Sequence, residues 1–318
     1  MNLVSPFRGI LPALQLPYRD GGEIDEVELR RFAGWLAGHE GIGGLVTNGH
    51  TGEVFALSAA ERAEVTRIVA DEAGGRVPVI SGICCESLAE AVEHAGMAEE
   101  AGARGLLVMP PHYWLRFGMR PEHVLEHFTA VGQAVSINLI VHIYPAWTRA
   151  AYSSELLAEL AQLPTVTTFK IGTREMSKYQ RDISAIRRAN AACTILTCHD
   201  EYVLASMVQG VDGALVGFAS FIPELLTALY RAVCEGDLRT AQEIQRRIDG
   251  LKEVVYANEE PSGEAHARMK TAMMLSGRLK SDAVRAPFRP PGPEVQKRIQ
   301  AALEAANLEP GPLSAGDR

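Results

Sequence analysis

The sequence lacks the features that mark membrane and nucleic-acid-binding proteins. No apolar run in its 318 residues approaches the roughly 20 residues that a membrane-spanning helix needs. Basic residues number 31 against 39 acidic ones, and the resulting net charge of −8 offers no positive surface for nucleic acid. The N-terminal stretch 1–20 has no basic leader followed by a cleavage site, so we expect no signal peptide and a cytoplasmic protein.

Cysteine is also scarce, and its spacing argues against a disulfide scaffold. There are five cysteines, an odd number that does not fit a small secreted domain. Cys193 and Cys198, followed by His199, at first suggest a metal cluster. No two cysteines form a C-x-x-C pair, however, and no second histidine follows nearby. We therefore expect ordinary buried thiols and no metal.

What the sequence does contain is an alternation of strand-like and helix-like segments. The strand-like segments are short and apolar, and an amphipathic segment follows each of them. Ser58 and Glu61 have the spacing of a capping box at the start of one helix. The predicted strands are residues 9–16, 43–47, 77–82, 104–110, 137–144, 165–170, 193–198 and 212–217. The helices that follow them are predicted over residues 25–39, 57–73, 87–102, 121–134, 153–162, 175–190, 200–209 and 222–235.

This alternation predicts an α/β fold, a (β/α)8 TIM barrel. Continuously apolar strands indicate a parallel sheet that is buried on both faces. Eight strand–helix pairs within about 230 residues favour a closed barrel over an open doubly wound sheet, which is the alternative. After residue 236 the strand signal stops. We expect a barrel over 1–236, a C-terminal helical appendage over 237–306 with helices at 237–257, 262–279 and 294–306, and a flexible tail over 307–318.

Ionisable residues follow several of the predicted strands, where barrel enzymes carry their chemistry. Lys170 ends an apolar, β-branched strand. A lysine enclosed in an apolar barrel has a lowered pKa, and its free amine can attack a ketone to form a Schiff base. The protonated imine then withdraws electrons and stabilises a carbanion on the neighbouring carbon. The alternative is a charged lysine at the barrel mouth with its head group in solvent.

Two neighbouring features fit the imine chemistry. Tyr144 ends the preceding strand, beside Lys170 in a parallel barrel, where a phenol can relay protons. The turn N-G-H-T-G-E at 48–53 is rich in glycine, and its amides and the Thr51 hydroxyl could hold a carboxylate. Each feature has an ordinary explanation, an anchored rim tyrosine or a tight turn that needs glycine. Together they describe a lyase for 2-keto acids.

These residues resemble the dihydrodipicolinate synthase and N-acetylneuraminate lyase family over nearly the whole chain. The most specific motifs are G-H-T-G-E at 49–53, the spacing of Tyr144 and Lys170, and F-K-I-G-T at 169–173. The resemblance implies a barrel with C-terminal helices and an imine-forming lysine. It also implies no cofactor besides the covalent imine, and a homotetramer built from tight dimers, or a homodimer.

The resemblance also implies roles for individual residues. It assigns the imine to Lys170, the proton relay to Tyr144, and the pyruvate carboxylate to Thr51 with the amides around it, including Gly49 and Gly52. The resemblance implies two further site residues. Tyr113 would be a catalytic residue that extends across a dimer interface, and the carbonyl of Leu215 would lie near the keto acid.

Several positions depart from the synthase pattern. His50 replaces the first hydroxyl residue of the turn, and His112 stands where the synthase has the first of two tyrosines. Tyr144 is followed by P-A-W, not by the N-x-P of the synthase. Arg149 matches the spacing of the arginine that binds the second substrate's carboxylate in the synthase, or else is a solvated rim residue.

From these departures we expect a metal-independent aldolase or dehydratase that acts through an imine on Lys170. The substrate would be pyruvate or a 2-keto acid, either 2-keto-3-deoxy or aryl-bearing. We expect a wide aromatic mouth formed by Trp114, Trp147, His50 and His112, with His50 among the catalytic residues and His112 among the substrate-binding ones. The alternatives are a dihydrodipicolinate synthase that condenses pyruvate with aspartate semialdehyde, and a relative that binds keto acids without turnover.

Three other patterns suggest different functions. H-V-L-E-H at 123–127 matches a zinc-peptidase motif, but it lies on a predicted outer helix, and we interpret it as a solvated helix face. G-I-G-G at 41–44 precedes a strand and does not open a helix as a nucleotide-binding loop would. G-F-A-S at 217–220 follows the eighth strand, where barrels often bind phosphate, but no basic residue stands beside it.

Overall fold

Eight parallel strands form the sheet that the alternation predicted. The computed structural model describes residues 5–257, 262–309 and 311–313. Strands adjacent in the chain are neighbours in the sheet from β2 through β8, and β8 pairs with β1. Parallel bridges from Ile10 to Ile42 and from Ala13 to Val46 bring β1 beside β2 and close the barrel. The strands are β1 Gly9–Pro12, β2 Leu45–Thr47, β3 Val79–Ile83, β4 Gly105–Val108, β5 Asn138–Ile143, β6 Val166–Ile171, β7 Thr194–Thr197 and β8 Gly213–Val216.

Helices surround this barrel and continue beyond it. All the predicted helices are present, with ends that differ by a few residues. Two short helices and one turn of 3-10 helix, Val54–Ala56, were not predicted. The helices are α1 Glu26–Ala37, α2 Ala59–Ala73, α3 Leu88–Glu100, α4 Tyr113–Phe117, α5 Pro121–Ala134, α6 Ser154–Leu160, α7 Met176–Ala189, α8 Val203–Met207, α9 Phe218–Phe221, α10 Pro223–Glu235, α11 Leu238–Val255, α12 Gly263–Leu275 and α13 Pro293–Ala306. Among the residues described, none of these helices is both long and apolar enough to cross a membrane.

Local sequence signals fix where helices begin. The predicted capping box at α2 is confirmed: Ser58 Oγ accepts from the Glu61 amide, and the Glu61 carboxylate accepts from the Ser58 amide at 2.8 Å. Asp25, Ser87 and Ser153 cap α1, α3 and α6 by accepting from one backbone amide each, without the reciprocal bond. Each such cap stabilises a helix by about 1 kcal/mol relative to alanine.

The barrel interior is filled by one buried apolar side chain from most strands, with Phe7 closing the N-terminal end. On β6 the interior position is Thr168, which pairs with Ile140 and shares a 2.7 Å hydrogen bond with Ser5. Side chains alternate along a strand, so Lys170 points inward, one layer above Thr168. The sequence suggested that Lys170 is the last residue of β6. In the structure it is the penultimate one. The apolar members of the layer are Leu11, Val46, Ile80, Leu107, Ile140, Leu196 and Leu215.

The C-terminal helices share a core with the barrel helices. A single apolar cluster contains residues of α1, α2 and α10 together with residues of α11, α12 and α13. The division into domains at residue 236 therefore stays a prediction. In the stretch expected to be a flexible tail, the amides of Gly311 and Leu313 donate to the carbonyls of Ser276 and Gly277. Residues 310 and 314–318 of that stretch lie outside the described residues.

Candidate active site

A cavity of about 180 Å³ lies at the C-terminal ends of the strands. We call it the inner cavity. Lys170 borders it from β6, and Tyr144 borders it from the residue after β5. In the sheet Lys170 is paired with His142 on one side and with Leu196 on the other. Tyr144 lies two residues beyond that His142 partner, so the amine and the phenol face the same space.

The surroundings of Lys170 favour its uncharged form. Burial in the barrel lowers the pKa of Lys170. Cys198 and Asp200 oppose this shift because a negative charge on either would stabilise the ammonium, and Arg174 adds to it. Burial also raises the pKa of the Cys198 thiol and raises that of Asp200 to about 6, which weakens the opposition. The amine therefore has the character that nucleophilic attack on a carbonyl requires.

Tyr144 is held between two histidines. Its hydroxyl lies 2.9 Å from His112 Nε2 and 3.1 Å from His50 Nε2. Burial lowers the pKa of both imidazoles and raises that of the phenol, so all three groups are neutral near pH 7. A neutral phenol can donate to one imidazole while it accepts from the other. The row His112–Tyr144–His50 is thus a hydrogen-bonded path along which a proton can move.

The turn after β2 is strained, and its side chains anchor it. Asn48 and Glu53 both have left-handed backbone conformations, with φ of 54° and 56°. The side-chain amide of Asn48 donates to the hydroxyls of Ser81 and Thr66, at 3.0 Å each, and to the carbonyl of Arg62 at 2.9 Å.

Between these two anchors the turn presents unused donors. Within the described part of the chain, no hydrogen bond uses the amide N–H groups of His50 and Thr51. Thr51 also borders the inner cavity. Consecutive amides of this kind form a concave site for an anion such as a carboxylate.

A buried ion pair ties this turn to the C-terminal helices. Lys270 of α12 donates to the Glu53 carboxylate and to the carbonyl of Ala283. Its side chain is fully buried, and its ammonium lies 4.5 Å from the centre of the Tyr18 ring. The helical appendage therefore holds the last residue of the G-H-T-G-E motif in place.

The structure brings together most of the predicted site residues. Lys170, Tyr144, His50, Thr51 and Leu215 border the inner cavity. His112 reaches the same place through Tyr144 and borders a second, outer cavity.

Four predicted site residues lie apart from the inner cavity. Gly49 and Gly52 shape the turn, where the Gly52 amide donates to the Gly49 carbonyl, but neither borders the inner cavity. Tyr113 is 47% exposed. Arg149 is exposed too, and it donates to the carbonyl of Arg116 at 3.2 Å.

Several cavity residues were not predicted. Asp200 follows β7 and accepts hydrogen bonds from the amides of Gly217 and Phe218 and from the Tyr256 hydroxyl, at 3.2, 2.9 and 2.7 Å. It therefore fixes the loop after β8. The rule that chemistry gathers at strand ends would have found Asp200 had it been applied to the seventh strand. His142 also borders the cavity, and no sequence signal sets it apart from its buried strand.

The outer cavity, of about 470 Å³, opens from the inner one. The two share His50, Tyr144, Pro145 and His266 as walls. Most of the remaining wall is apolar and aromatic, which matches the expected aromatic mouth. These apolar side chains are Phe55, Ala56, Leu115, Trp147, Ala267, Val284 and Phe288.

The expectation for Trp114 was wrong. Trp114 is buried and lies against the ring of His127 in the core, because α4 turns this side chain inward and away from the outer cavity.

The H-V-L-E-H segment is not a uniformly solvated helix face. His127 is buried, and burial lowers its pKa to about 4. His123 instead lies 3.0 Å from a guanidinium nitrogen of Arg120. Among the described residues, the groups close enough to share a metal include neither of these histidines nor Cys193, Cys198 and His199.

A barrel that encloses a lysine of lowered pKa beside a hydrogen-bonded phenol defines a lyase of the Schiff-base class. The chain belongs to the dihydrodipicolinate synthetase family, which matches it over residues 6–306. The predictions of the family, of the barrel fold and of the lyase class are thereby confirmed.

Homologous proteins align with nearly the whole chain. A 4-hydroxy-tetrahydrodipicolinate synthase of Nitrobacter hamburgensis is 34% identical over 305 residues, which are 95% of this chain and 97% of that protein. One of Acidiphilium cryptum is also 34% identical, over 95% of this chain and 99% of that protein. Among solved structures, the dihydrodipicolinate synthase of Aquifex aeolicus has a TM-score of 0.85 at 27% identity, covering 96% of this chain and 100% of that one.

Proposed function

We propose that the protein is an aldolase or dehydratase that forms an imine between Lys170 and pyruvate or another 2-keto acid. The observation that carries this proposal is the inner cavity, where an amine of lowered pKa, a phenol and a pair of unused amides border one small space. A 2-keto acid offers the matching groups, a ketone for the amine and an adjacent carboxylate for the amides.

Imine formation follows from this placement. The keto-acid carboxylate accepts from the amides of His50 and Thr51, which directs the ketone carbon at Lys170. Attack by the amine gives a carbinolamine. Tyr144 then protonates the hydroxyl of the carbinolamine, which leaves as water. Tyr144 then takes a proton from the next carbon to give an enamine, which in an aldolase adds to an aldehyde whose oxygen takes up that proton. In a dehydratase, the enamine expels a β-hydroxyl, which takes up that proton and leaves as water. Hydrolysis of the product imine by water then frees the Lys170 amine.

The two histidines around Tyr144 replace the hydroxyl-based relay expected in the synthase. An imidazole both accepts and donates a proton, so the row can return a proton to Tyr144 after each transfer. His50 and His112 are therefore proposed as relay residues and Tyr144 as the group next to the substrate. The Leu215 backbone is proposed to border the bound keto acid from β8.

The outer cavity supports a substrate that carries an apolar or aryl group. It adjoins the inner cavity at the walls that the two share, so a substituent on the keto acid would find room there. Arg149, which would bind the carboxylate of aspartate semialdehyde, lies on the exposed surface of the described chain. The synthase activity named for the relatives remains the second candidate, because the relatives align with 95% of this chain.

Borohydride trapping tests the imine. With pyruvate, reduction should add one covalent adduct per chain, located on Lys170 by peptide mass spectrometry. The Lys170→Ala variant should lose both the adduct and turnover, whereas Lys297→Ala, which removes a well-exposed lysine, should keep them. An adduct or full turnover in Lys170→Ala would refute the proposal.

A substrate comparison tests the proposed specificity. We expect kcat/KM with pyruvate and an aryl aldehyde to exceed that with pyruvate and aspartate semialdehyde. Trp147→Ala should raise KM for the aryl aldehyde and leave borohydride trapping of pyruvate unchanged. A preference for aspartate semialdehyde that is lost in Arg149→Ala would instead establish the synthase.

We further propose that the protein is a cytoplasmic homodimer or homotetramer. On α4, Tyr113 and Phe117 are 47% and 73% exposed, and a second copy of the chain would cover them. Tyr113 would then reach the neighbouring site. Analytical ultracentrifugation of the wild type and of Phe117→Ser should show a shift to smaller species in the variant, and a monomeric wild type would contradict this assembly.

A further inference from the structure

Three metal-ligating side chains converge beside the proton relay. His50, Cys84 and His112 each offer one ligand atom, and these atoms all lie within 4.8 Å of one another. Cys84 Sγ lies 4.0 Å from His112 Nδ1. The three residues follow β2, β3 and β4, so three neighbouring strands deliver them to one point. We call them the His–Cys–His cluster.

The cluster has the chemistry of a zinc site with an open position. Zinc prefers sulfur and imidazole ligands at about 2.0–2.3 Å, which puts tetrahedral ligand atoms about 3.3–3.8 Å apart. Shifts of the side chains by about 1 Å would bring the cluster to that spacing. His112 would bind through Nδ1, the nitrogen that lies near Cys84, because its Nε2 already contacts the Tyr144 hydroxyl. The outer cavity, bordered by His50 and His112, provides the route of entry.

A neighbouring group of similar composition shows what excludes a cation. Cys85, Glu90 and His94 also offer ligand atoms within 4.8 Å of one another. However, a guanidinium nitrogen of Arg62 lies 3.2 Å from His94 Nδ1 and 4.0 Å from Cys85 Sγ. This fixed positive charge occupies the place where a metal would sit.

Charges of both signs lie beside the His–Cys–His cluster. Arg62 donates to the backbone carbonyl of Cys84 at 3.0 Å, whereas a carboxylate faces a ring nitrogen of His112. A carboxylate oxygen of Glu86 lies 3.7 Å from His112 Nδ1. The same carboxylate is held in place by the backbone amides of His112 and Tyr113, at 3.1 and 2.8 Å. A negative charge fixed at this distance favours a cation at the cluster.

We propose that His50, Cys84 and His112 bind one Zn²⁺, and that this ion reversibly inhibits the lyase. On binding, the Cys84 thiol releases its proton to solvent, and the sulfur and two imidazole nitrogens each donate an electron pair to the ion. The imidazoles then no longer exchange protons with Tyr144, so carbinolamine breakdown slows. The metal is an inhibitor at this site and takes no part in the imine chemistry.

Zinc titration of chelator-treated, dialysed protein tests the proposal. We expect one equivalent of Zn²⁺ to bind by calorimetry, turnover to fall in proportion, and added EDTA to restore it. Co²⁺ in place of Zn²⁺ should give a thiolate-to-cobalt charge-transfer absorption. Cys84→Ser should keep basal turnover, lose that absorption, and need at least about tenfold more Zn²⁺ for half-inhibition. The matched variant Cys85→Ser should behave like the wild type.

The outcomes separate this proposal from the proposed function. The zinc site would be refuted if Cys84→Ser were inhibited at the same zinc concentration as the wild type. It would also be refuted if Cys85→Ser lost the cobalt absorption while Cys84→Ser kept it. Cys84→Ala, with its thermal unfolding measured, guards against a folding defect in the serine variant. Calorimetry and cobalt absorption need no turnover. If the protein had no lyase activity, the metal site would still be tested.

Discussion

The Lys270–Glu53 pair should matter for both stability and substrate binding. Lys270 is fully buried, donates to Glu53 and to the Ala283 carbonyl, and lies against the Tyr18 ring. Lys270→Met keeps most of the side-chain volume and removes the charge, which leaves the Glu53 carboxylate largely buried without its cation. Removing one partner of a buried pair costs about 3–5 kcal/mol. We expect a loss of that size in the free energy of unfolding, measured with urea.

The same variant should weaken keto-acid binding because Glu53 holds a left-handed backbone conformation next to the proposed carboxylate site. We expect KM for the keto acid to rise more than kcat falls. In the double variant Lys270→Met with Glu53→Gln, the lone charge is gone, and a coupling energy of about 1–3 kcal/mol should appear. Lys297→Met, which breaks the exposed pair with Glu294, is the matched control and should change little. Equal effects of Lys270→Met and Lys297→Met, or additivity in the double variant, would refute the reasoning.

Three further predictions concern the inner cavity. Gly217→Ala would place a Cβ 3.0 Å from Thr51 Oγ1, so we expect a raised KM for the keto acid in steady-state assays and near-normal thermal stability. His112→Phe removes one partner of Tyr144, so kcat should fall about 100-fold while slow borohydride trapping on Lys170 persists. Burial lowers the pKa of Lys170, and attack needs the free amine, so the initial trapping rate should rise with pH and level off above a midpoint below the usual lysine range. A midpoint in that usual range would show that the amine is solvated.

The barrel could be predicted because each strand–helix pair carries its signal locally. Apolar strands, amphipathic helices and the Ser58–Glu61 capping box are patterns within one element, and all reappear in the structure. The helices α4 and α9 were missed because they are shorter than the span over which helical periodicity can be read. Strand ends differ from the predicted ones by up to four residues, and β6 ends one residue later than predicted, which is why Lys170 is its penultimate residue.

The site could be predicted only where a side chain's direction follows from strand alternation. Lys170 and Tyr144 are of this kind. The contacts of Tyr144 with His50 and His112 depend on how three loops fold over the barrel, and the Lys270–Glu53 pair joins residues 217 positions apart. The prediction that Trp114 lines the mouth of the site failed for the same reason, because the short helix α4 turns this side chain into the core.

Phe7 and the apolar layer above it close the barrel at its N-terminal end. Reactants and products are therefore expected to enter and leave at the opposite end, where the inner and outer cavities lie beside the C-terminal ends of the strands. In the proposed aldolase reaction the aldehyde would occupy the outer cavity, against the walls that the two cavities share. We therefore expect the keto acid to bind before the aldehyde, which initial-rate kinetics with both substrates varied can test.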